Sequence, residues 1–146
     1  MIIGIGNDIV DINRIGRLLN KFEHKFVDRV FTEEEKTRAT KSSNPAAIFA
    51  KRFAAKEAAW KALGDEKQMG IRWKDLKIRN SLSGRPILEM FGAAATRLDL
   101  LIPSGMVSRL DLSLSDEPPF AQAFVVISAE NKKTNSLRRQ AAEHGL

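Results

Sequence analysis

The chain has 146 residues, of which 24 are basic and 18 acidic, and its formal net charge is +6. This length predicts one domain whose core needs no metal or disulfide support, and 43% apolar residues are typical of a globular protein. The absence of cysteine excludes disulfides, thiolate metal ligands and thiol nucleophiles. The two histidines, His24 and His144, argue against a multi-histidine metal site or a Ser-His-Asp triad, and we expect both at the surface.

The positive charge is divided between the body of the chain and its C-terminal end. Residues 131–146 carry four basic side chains and one acidic one, a net of +3, which is half of the total. We therefore treat residues 1–130 as the domain and residues 131–146 as a basic C-terminal extension. A sequence pI of about 9.8 indicates an anionic partner. No segment resembles a secretory leader or a membrane span, so we expect a cytoplasmic protein with no membrane partner.

The first twelve residues predict a buried strand, because Met1–Ile12 is nearly continuous in apolar residues. Alternation places on one face Gly4, Gly6, Asp8 and Val10. The two glycines form a trough in which another group can approach the backbone closely. Asp8 needs a partner in such a strand, and capping the next helix, pairing with Arg14 or sharing a divalent cation are all open to it.

The next segment, Asn13 to about Lys25, predicts a helix with an apolar stripe. Four basic residues at spacings of three, four and four share one side of it and form a basic ridge, namely Arg14, Arg17, Lys21 and Lys25. A solvated helical face explains such a ridge as well as an acidic partner does. A second, short helix begins at the capping box Thr32–Glu35.

The clearest helix begins at Asn44, a capping residue followed by Pro45, and ends before Gly64. Lys56 falls within its apolar stripe and Glu57 on the edge of that stripe. Buried charges are costly unless they are paired or coordinated. One interpretation is a Lys56 side chain that reaches solvent beside a solvated Glu57; the other is a functional site.

The remainder of the domain predicts strands, turns and one more helix. The predicted strands are Ile71–Arg79, Ile87–Met90, Arg109–Ser115 and Phe120–Ser128, and the predicted helix is Phe91–Leu101. The expected fold class is α+β, an antiparallel-rich sheet with helices packed on one side and the Asn44–Leu63 helix against the first strand.

Two motifs together resemble the 4′-phosphopantetheinyl transferases, in their short, single-domain type. They are Gly4-Ile5-Gly6-Asn7-Asp8-Ile9-Val10 with Arg14 downstream, and Arg52-Phe53-Ala54-Ala55-Lys56-Glu57-Ala58-Ala59-Trp60-Lys61-Ala62. The Gly84-Arg85-Pro86 turn, Gly64 and the final pair of strands also match, so the resemblance covers about residues 1–130. It implies the fold of that family and transfer of the 4′-phosphopantetheine arm of coenzyme A to a serine of apo acyl carrier protein. Adenosine 3′,5′-bisphosphate is the other product, and the pathway served is fatty acid biosynthesis.

The resemblance also implies roles for particular residues. Asp8 and Glu57 match the magnesium ligands, and Lys61 matches a catalytic lysine near the coenzyme A phosphates. The expected coenzyme-binding residues are Arg52, Lys56, Lys61, Gly64, Arg85 and Pro86. Glu57, directly or through a metal-bound water, is the candidate base for the serine proton. Family members of this type are homotrimers with active sites between subunits, and their first helix contributes to docking the acidic carrier protein, which gives the basic ridge a use.

Two positions depart from the family pattern. Many members have a histidine at the start of the segment that matches Asp111–Asp116, and some have another at its end, but both positions here are aspartate. The role of such a histidine is therefore not carried over. The two aspartates are either close to the metal or exposed strand and turn residues, and we favour the latter.

Two other classes of function are alternatives to the transferase. A small basic nucleic-acid-binding protein would fit the pI, but the chain has no tyrosine, no aromatic–basic sheet motif and no helix-turn-helix spacing. A structural trimer without activity would leave Asp8 and Glu57 unexplained. We therefore expect coenzyme A and acyl carrier protein, and not nucleic acid, as partners.

Overall fold

The computed structural model describes residues 1–22, 24–64, 70–133 and 136–137. Within them the elements, in chain order, are β1 (Ile2–Asp11), α1 (Ile12–Phe22), α2 (His24–Val30), α3 (Glu33–Thr40), α4 (Pro45–Ala62), a 3₁₀ turn (Trp73–Asp75), β2 (Leu76–Asn80), β3 (Pro86–Met90), α5 (Gly92–Leu101), β4 (Met106–Glu117) and β5 (Phe120–Asn131).

The strands form two antiparallel sheets. The larger has the order β1-β5-β4, in which the first strand of the chain pairs with the last, and the smaller is the β2–β3 hairpin. The predicted α+β class with an antiparallel-rich sheet is therefore confirmed. None of the helices in the described ranges combines the length and the apolar composition that a bilayer span requires.

Helix α4 packs on one face of the larger sheet, where small side chains let it come close. A Cβ on Gly4 would overlap the carbonyl oxygen of Ala62, and a Cβ on Gly6 would overlap that of Ala58. The glycine trough predicted in β1 is thus filled by the backbone of α4. From β5, alternate residues complete this inner face with no exposed area, namely Ala121, Ala123, Val125 and Ile127.

The opposite face of the larger sheet is not covered. In β1, Ile5 and Ile9 are 53% and 61% exposed, and in β5, Phe120 and Phe124 are 49% and 42% exposed. The prediction that β1 is a strand is right, but the prediction that it is buried is wrong for this face. Strand β1 therefore has apolar residues on both faces. Those on the inner face are buried by α4, whereas those on the outer face are exposed.

The helix predicted from Asn13 to about Lys25 is described as α1 up to Phe22 and as α2 from His24, and residue 23 lies outside the described residues. The predicted helical structure is therefore confirmed on both sides of residue 23, and Lys25 lies on α2. Both predicted helix starts downstream are confirmed. The Thr32–Glu35 capping box forms, with the Thr32 amide donating to Glu35 Oε2 at 2.8 Å, and Asn44 Oδ1 accepts from the Ala47 amide at 3.2 Å.

Three smaller predictions concern the residue after α4, the end of the last strand and the two histidines. Gly64 follows the end of α4 with φ of +70°, the left-handed conformation that glycine adopts without strain. Strand β5 continues to Asn131, slightly beyond the predicted Ser128. His24 is exposed, as expected, and most of the basic extension, including His144, lies outside the described residues.

Candidate active site

Asp8 and Lys61 form an ion pair where β1 crosses α4. Lys61 Nζ lies 2.8 Å from Asp8 Oδ1 and also donates to the backbone oxygen of Asn7 at 2.9 Å. The Asp8 side chain is only 16% exposed, whereas that of Lys61 is 51% exposed. The partner that Asp8 finds is therefore a residue of α4, and the pair lies at the surface where a ligand can reach it.

Glu57 lies one helical turn before Lys61, so the two side chains share a face of α4. Both are immediate neighbours of the α4 residues whose carbonyl oxygens contact β1, since Glu57 precedes Ala58 and Lys61 precedes Ala62. Glu57 is partly buried. Glu57 therefore lies one helical turn from the Asp8–Lys61 pair, on the face of α4 that carries Lys61.

This donor set fits a magnesium ion that completes its coordination with other oxygens. Mg²⁺ is usually bound through one or two carboxylates while the remaining positions are taken by waters and substrate phosphates. Within the described ranges no cluster of three or more Asp, Glu, His or Cys side chains is suited to a metal. Asp8 and Glu57 could hold such an ion together with water and phosphate oxygens.

Lys56 does not reach this site. Its side chain has no exposed area, and Nζ lies 2.8 Å from Oε2 of Glu35, which is also fully buried. The ammonium group of Lys56 faces the core, which argues against the predicted contact with the coenzyme. The alternative, in which the side chain reaches solvent, is wrong.

Arg52, predicted to bind the coenzyme, lines a cavity of about 250 Å³. The cavity is lined by Arg38, Ile48, Lys51, Arg52, Asn80, Gly84, Pro86 and Leu114. Arg52 is 2% exposed and its Nη2 donates to Asn80 Oδ1 at 2.9 Å, while Nε has no acceptor among the described residues. Burial, with a contribution from Arg38, lowers the pKa of Arg52. Cations that crowd around an unused donor favour an anion in this cavity.

Two cations of this cavity were not predicted from the sequence. Arg38 lies on α3, whose capping box predicts where the helix begins. That local signal does not indicate which residues Arg38 faces in the folded chain. Lys51 precedes Arg52 and pairs with Asp116 at 2.8 Å. Only the folded chain brings them together.

The β2–β3 turn carries Arg85 and Pro86. Gly84 has φ of +86°, and the predicted turn is present. The Arg85 side chain is 68% exposed and its Nη2 lies 3.5 Å from Asp111 Oδ1. Asp111 is held more closely by Arg109, at 2.7 Å, so the aspartate where a histidine is common has cationic partners of its own.

The basic ridge lies beside a groove of about 510 Å³. The groove is lined by Arg14, Leu18, Phe22, Lys25, Phe26, Arg29, Val30, Phe53 and Trp73. Of the predicted ridge, Arg14 and Lys25 line the groove, whereas Arg17 and Lys21 are exposed outside its lining. Arg29, on α2, was not predicted. The groove combines an apolar floor with cations, which suits an acidic protein that presents apolar side chains.

The Asp8–Lys61 ion pair, Glu57 one turn away and the basic cavity together form the candidate site of a small transferase on an α+β scaffold. The chain belongs to the 4′-phosphopantetheinyl transferase superfamily, whose family model matches residues 4–105. It is 53% identical over 133 residues to a holo-[acyl-carrier-protein] synthase of Rhodopseudomonas palustris (strain TIE-1), covering 88% of this chain and 91% of that protein. The family predicted from the two motifs is thereby confirmed.

Two solved structures share the fold. The holo-[acyl-carrier-protein] synthase of Neisseria meningitidis is 38% identical with a TM-score of 0.76, covering 88% of this chain and 99% of that one. The enzyme of the same name from Helicobacter pylori, solved in complex with coenzyme A, is 30% identical with a TM-score of 0.70, covering 85% and 99%.

Proposed function

We propose that this protein transfers the 4′-phosphopantetheine arm of coenzyme A to a serine of apo acyl carrier protein, with release of adenosine 3′,5′-bisphosphate. Its place would be the cytoplasm, in fatty acid biosynthesis. The observation that carries the proposal is the Asp8–Lys61 pair at the edge of the β1–α4 contact, with Glu57 one turn away, in a chain of this superfamily. The serine of the carrier is the nucleophile, so the protein needs no cysteine or triad.

Asp8 and Glu57 would hold a magnesium ion, which would stabilise the charge that grows on the phosphate oxygens of the leaving group. Lys61 is positioned to stabilise the same charge through its exposed ammonium group. Glu57 is our candidate to accept the proton of the serine hydroxyl, since it lies one helical turn from Lys61 on the same face of α4. The protein's contribution is therefore to orient two substrates around a set of fixed charges.

The basic cavity is proposed to bind phosphate of coenzyme A. Arg52, with its unused Nε donor, supplies the buried cation, and Arg38 and Lys51 add charge at the same cavity. Pro86 lines the cavity, and Arg85 extends from the adjacent turn. Gly64 is retained as a coenzyme-binding position at the end of α4, whereas Lys56 is not.

The groove beside α1 and α2 is proposed to dock the carrier protein. Arg14 and Lys25 contribute cations at the groove, while Arg17 and Lys21 extend the basic surface along α1. Long-range attraction to an acidic carrier speeds association and weakens as salt is added. The apolar floor then provides the contact that holds the docked complex.

The uncovered face of the larger sheet supports the proposed homotrimer. Its exposed apolar side chains belong to neighbouring strands, since Ile9 pairs with Gln122 and Asn7 with Phe124. A contiguous exposed apolar surface is typical of an interface between proteins. We propose that this face meets two further copies of the chain and that active sites form between subunits.

Mass spectrometry of the carrier tests the proposed function. Apo acyl carrier protein is incubated with coenzyme A, magnesium and the purified protein, and its mass is followed for the gain of one phosphopantetheine arm. We expect the gain only with all components present. No gain on a carrier that a known transferase modifies would overturn the proposal, and would favour the nucleic-acid-binding or purely structural alternatives.

A further inference from the structure

A buried ion pair lies at the centre of the molecule. Glu35 on α3 and Lys56 on α4 are 1% and 0% exposed, and their charged atoms are 2.8 Å apart. Lys56 Nζ also lies 5.5 Å from the centre of the Phe31 ring. Buried ion pairs contribute little to stability unless further hydrogen bonds satisfy both groups, so the other partners of the two side chains decide what the pair does.

Lys56 uses its remaining donors on both walls of the groove described above. Nζ donates to the backbone oxygen of Val30, at the end of α2, at 2.7 Å, and to that of Trp73, in the 3₁₀ turn, at 3.2 Å. Val30 and Trp73 both line the groove. An ammonium group has three donors, and all three are used here. One lysine therefore holds two separate backbone segments of the groove against α4.

Glu35 uses its carboxylate oxygens in a similar way. Oε1 accepts from the amide of Ile78, in β2, at 2.7 Å, and Oε2 accepts from the amide of Thr32 at 2.8 Å. Two residues further along β2, Asn80 contacts Arg52 in the basic cavity. The carboxylate thus connects α3 and β2, and through β2 the hairpin that lines the cavity.

The pair lies next to a candidate catalytic residue in the chain. Lys56 immediately precedes Glu57 on α4, and its side chain is buried in the core. Because the two residues share one turn of the same helix, movement of Lys56 relative to Val30 or Trp73 would change the distance between the groove and Glu57.

We infer that Glu35 and Lys56 are positioning residues, whose buried ion pair fixes the carrier-docking groove relative to Glu57. This arrangement would place the serine hydroxyl of the docked carrier next to Glu57. The inference rests on the proposed function. It assigns the first lysine of the Lys56-Glu57-Ala58 motif to alignment of the protein substrate, whereas Lys61 serves the phosphates. Small errors of alignment have large effects on the rate of a reaction between two positioned groups.

The double variant Glu35→Gln/Lys56→Met tests this inference. Both replacements are neutral and close in shape, so neither leaves a lone charge in the core, and the amide oxygen of the introduced glutamine can still accept from Ile78. We expect the variant to fold, as judged by circular dichroism and thermal unfolding. We expect kcat/KM for the carrier protein to fall at least tenfold, while the dissociation constant for coenzyme A, measured by calorimetry without carrier, stays within twofold of the wild-type value.

Lys36→Met is the matched control. Lys36 lies next to Glu35 on α3 and pairs with Asp28 of α2, but it does not touch the carbonyl groups of the groove. We expect its kcat/KM for the carrier to stay within twofold of wild type. An equal loss in Lys36→Met would overturn the inference, because the effect would then come from loosening α2 and α3 in general.

Three further outcomes are decisive. A folded double variant with wild-type kcat/KM for the carrier would overturn the inference and leave the proposed function intact. Weaker coenzyme A binding in proportion to the lost rate would overturn it too, since the pair would then serve the whole site. No transfer by the wild-type protein would overturn the proposed function and the inference with it.

Discussion

The backbone of Gly6 packs against the carbonyl oxygen of Ala58, and a Cβ on Gly6 would overlap that oxygen. This contact sets how closely β1 approaches α4. Two residues further along the same face of β1, the carboxylate of Asp8 comes within 2.8 Å of Lys61 Nζ. The close approach of strand and helix is therefore the structural basis of the candidate active site.

The change Gly6→Ala should destabilise the protein severely, because the added methyl group meets backbone that cannot turn aside. We expect the free energy of unfolding to fall by about 3 kcal/mol or more, measured by urea denaturation. Gly16→Ala is the control, since its Cβ would lie 3.9 Å from Ala46 Cβ on a helix. It should raise stability by about 0.5–1 kcal/mol. Equal midpoints for Gly6→Ala and wild type would contradict the contact.

The variants Asp8→Asn and Glu57→Gln should each lower kcat by about 10²-fold or more, because each removes a charge from the proposed magnesium site. Both should unfold near the wild-type temperature. The magnesium concentration that gives half-maximal activity should rise, and chelation of the metal should abolish transfer by wild type reversibly. Asp99→Asn, at an exposed residue of α5, is the control. Near-full activity in both test variants would show that the metal assignment is wrong.

Reversing the charges of Arg14 and Lys25 should weaken carrier docking. We expect KM for the carrier to rise about tenfold, which corresponds to about 1.4 kcal/mol, while KM for coenzyme A changes little. Added salt should raise KM for the carrier in wild type more than in the variant. The double change Lys132→Glu/Lys133→Glu, beyond β5, alters the net charge equally and is the control. A parallel rise in both KM values would argue against docking at this groove.

Replacing Arg52 by Met should weaken coenzyme A binding and leave the carrier protein unaffected. The lost charged hydrogen bonds are each worth about 1.5–3 kcal/mol, so we expect KM for coenzyme A to rise at least tenfold. Lys77→Met, on the β2–β3 hairpin that Arg52 contacts through Asn80, is the control; Lys77 pairs with Glu34 at 2.7 Å. Unchanged affinity for coenzyme A in a folded Arg52→Met protein would exclude the cavity as a phosphate site.

The change Phe124→Glu should prevent assembly, since it places a charge on the uncovered face of the larger sheet. Light scattering should give the mass of one chain for the variant and of three chains for wild type, and transfer activity should fall with assembly. Leu100→Glu, at an α5 residue that is 76% exposed, is the control. A wild-type protein that scatters as a single chain would remove the basis for active sites between subunits.

Local signals determined much of the secondary structure. Asn44, Pro45 and Gly64 predicted the limits of α4, and the Thr32–Glu35 capping box predicted the start of α3, because capping depends on groups within a few residues. Strict alternation predicted β4 and a final apolar run predicted β5, but neither pattern revealed that one face of β1 is uncovered.

The sequence by itself determined the family, through two motifs. The same motifs predicted Asp8, Glu57 and Lys61 as residues of the active site. Only the tertiary structure decided which lysine of α4 meets which carboxylate. Helical periodicity placed Lys56 on the apolar face, yet its partner Glu35 is 21 residues away in the chain and was noted only for its cap. The cavity of Arg38, Lys51 and Arg52 likewise joins separate helices. Periodicity depends on neighbours within a turn, whereas pairing depends on how whole elements pack.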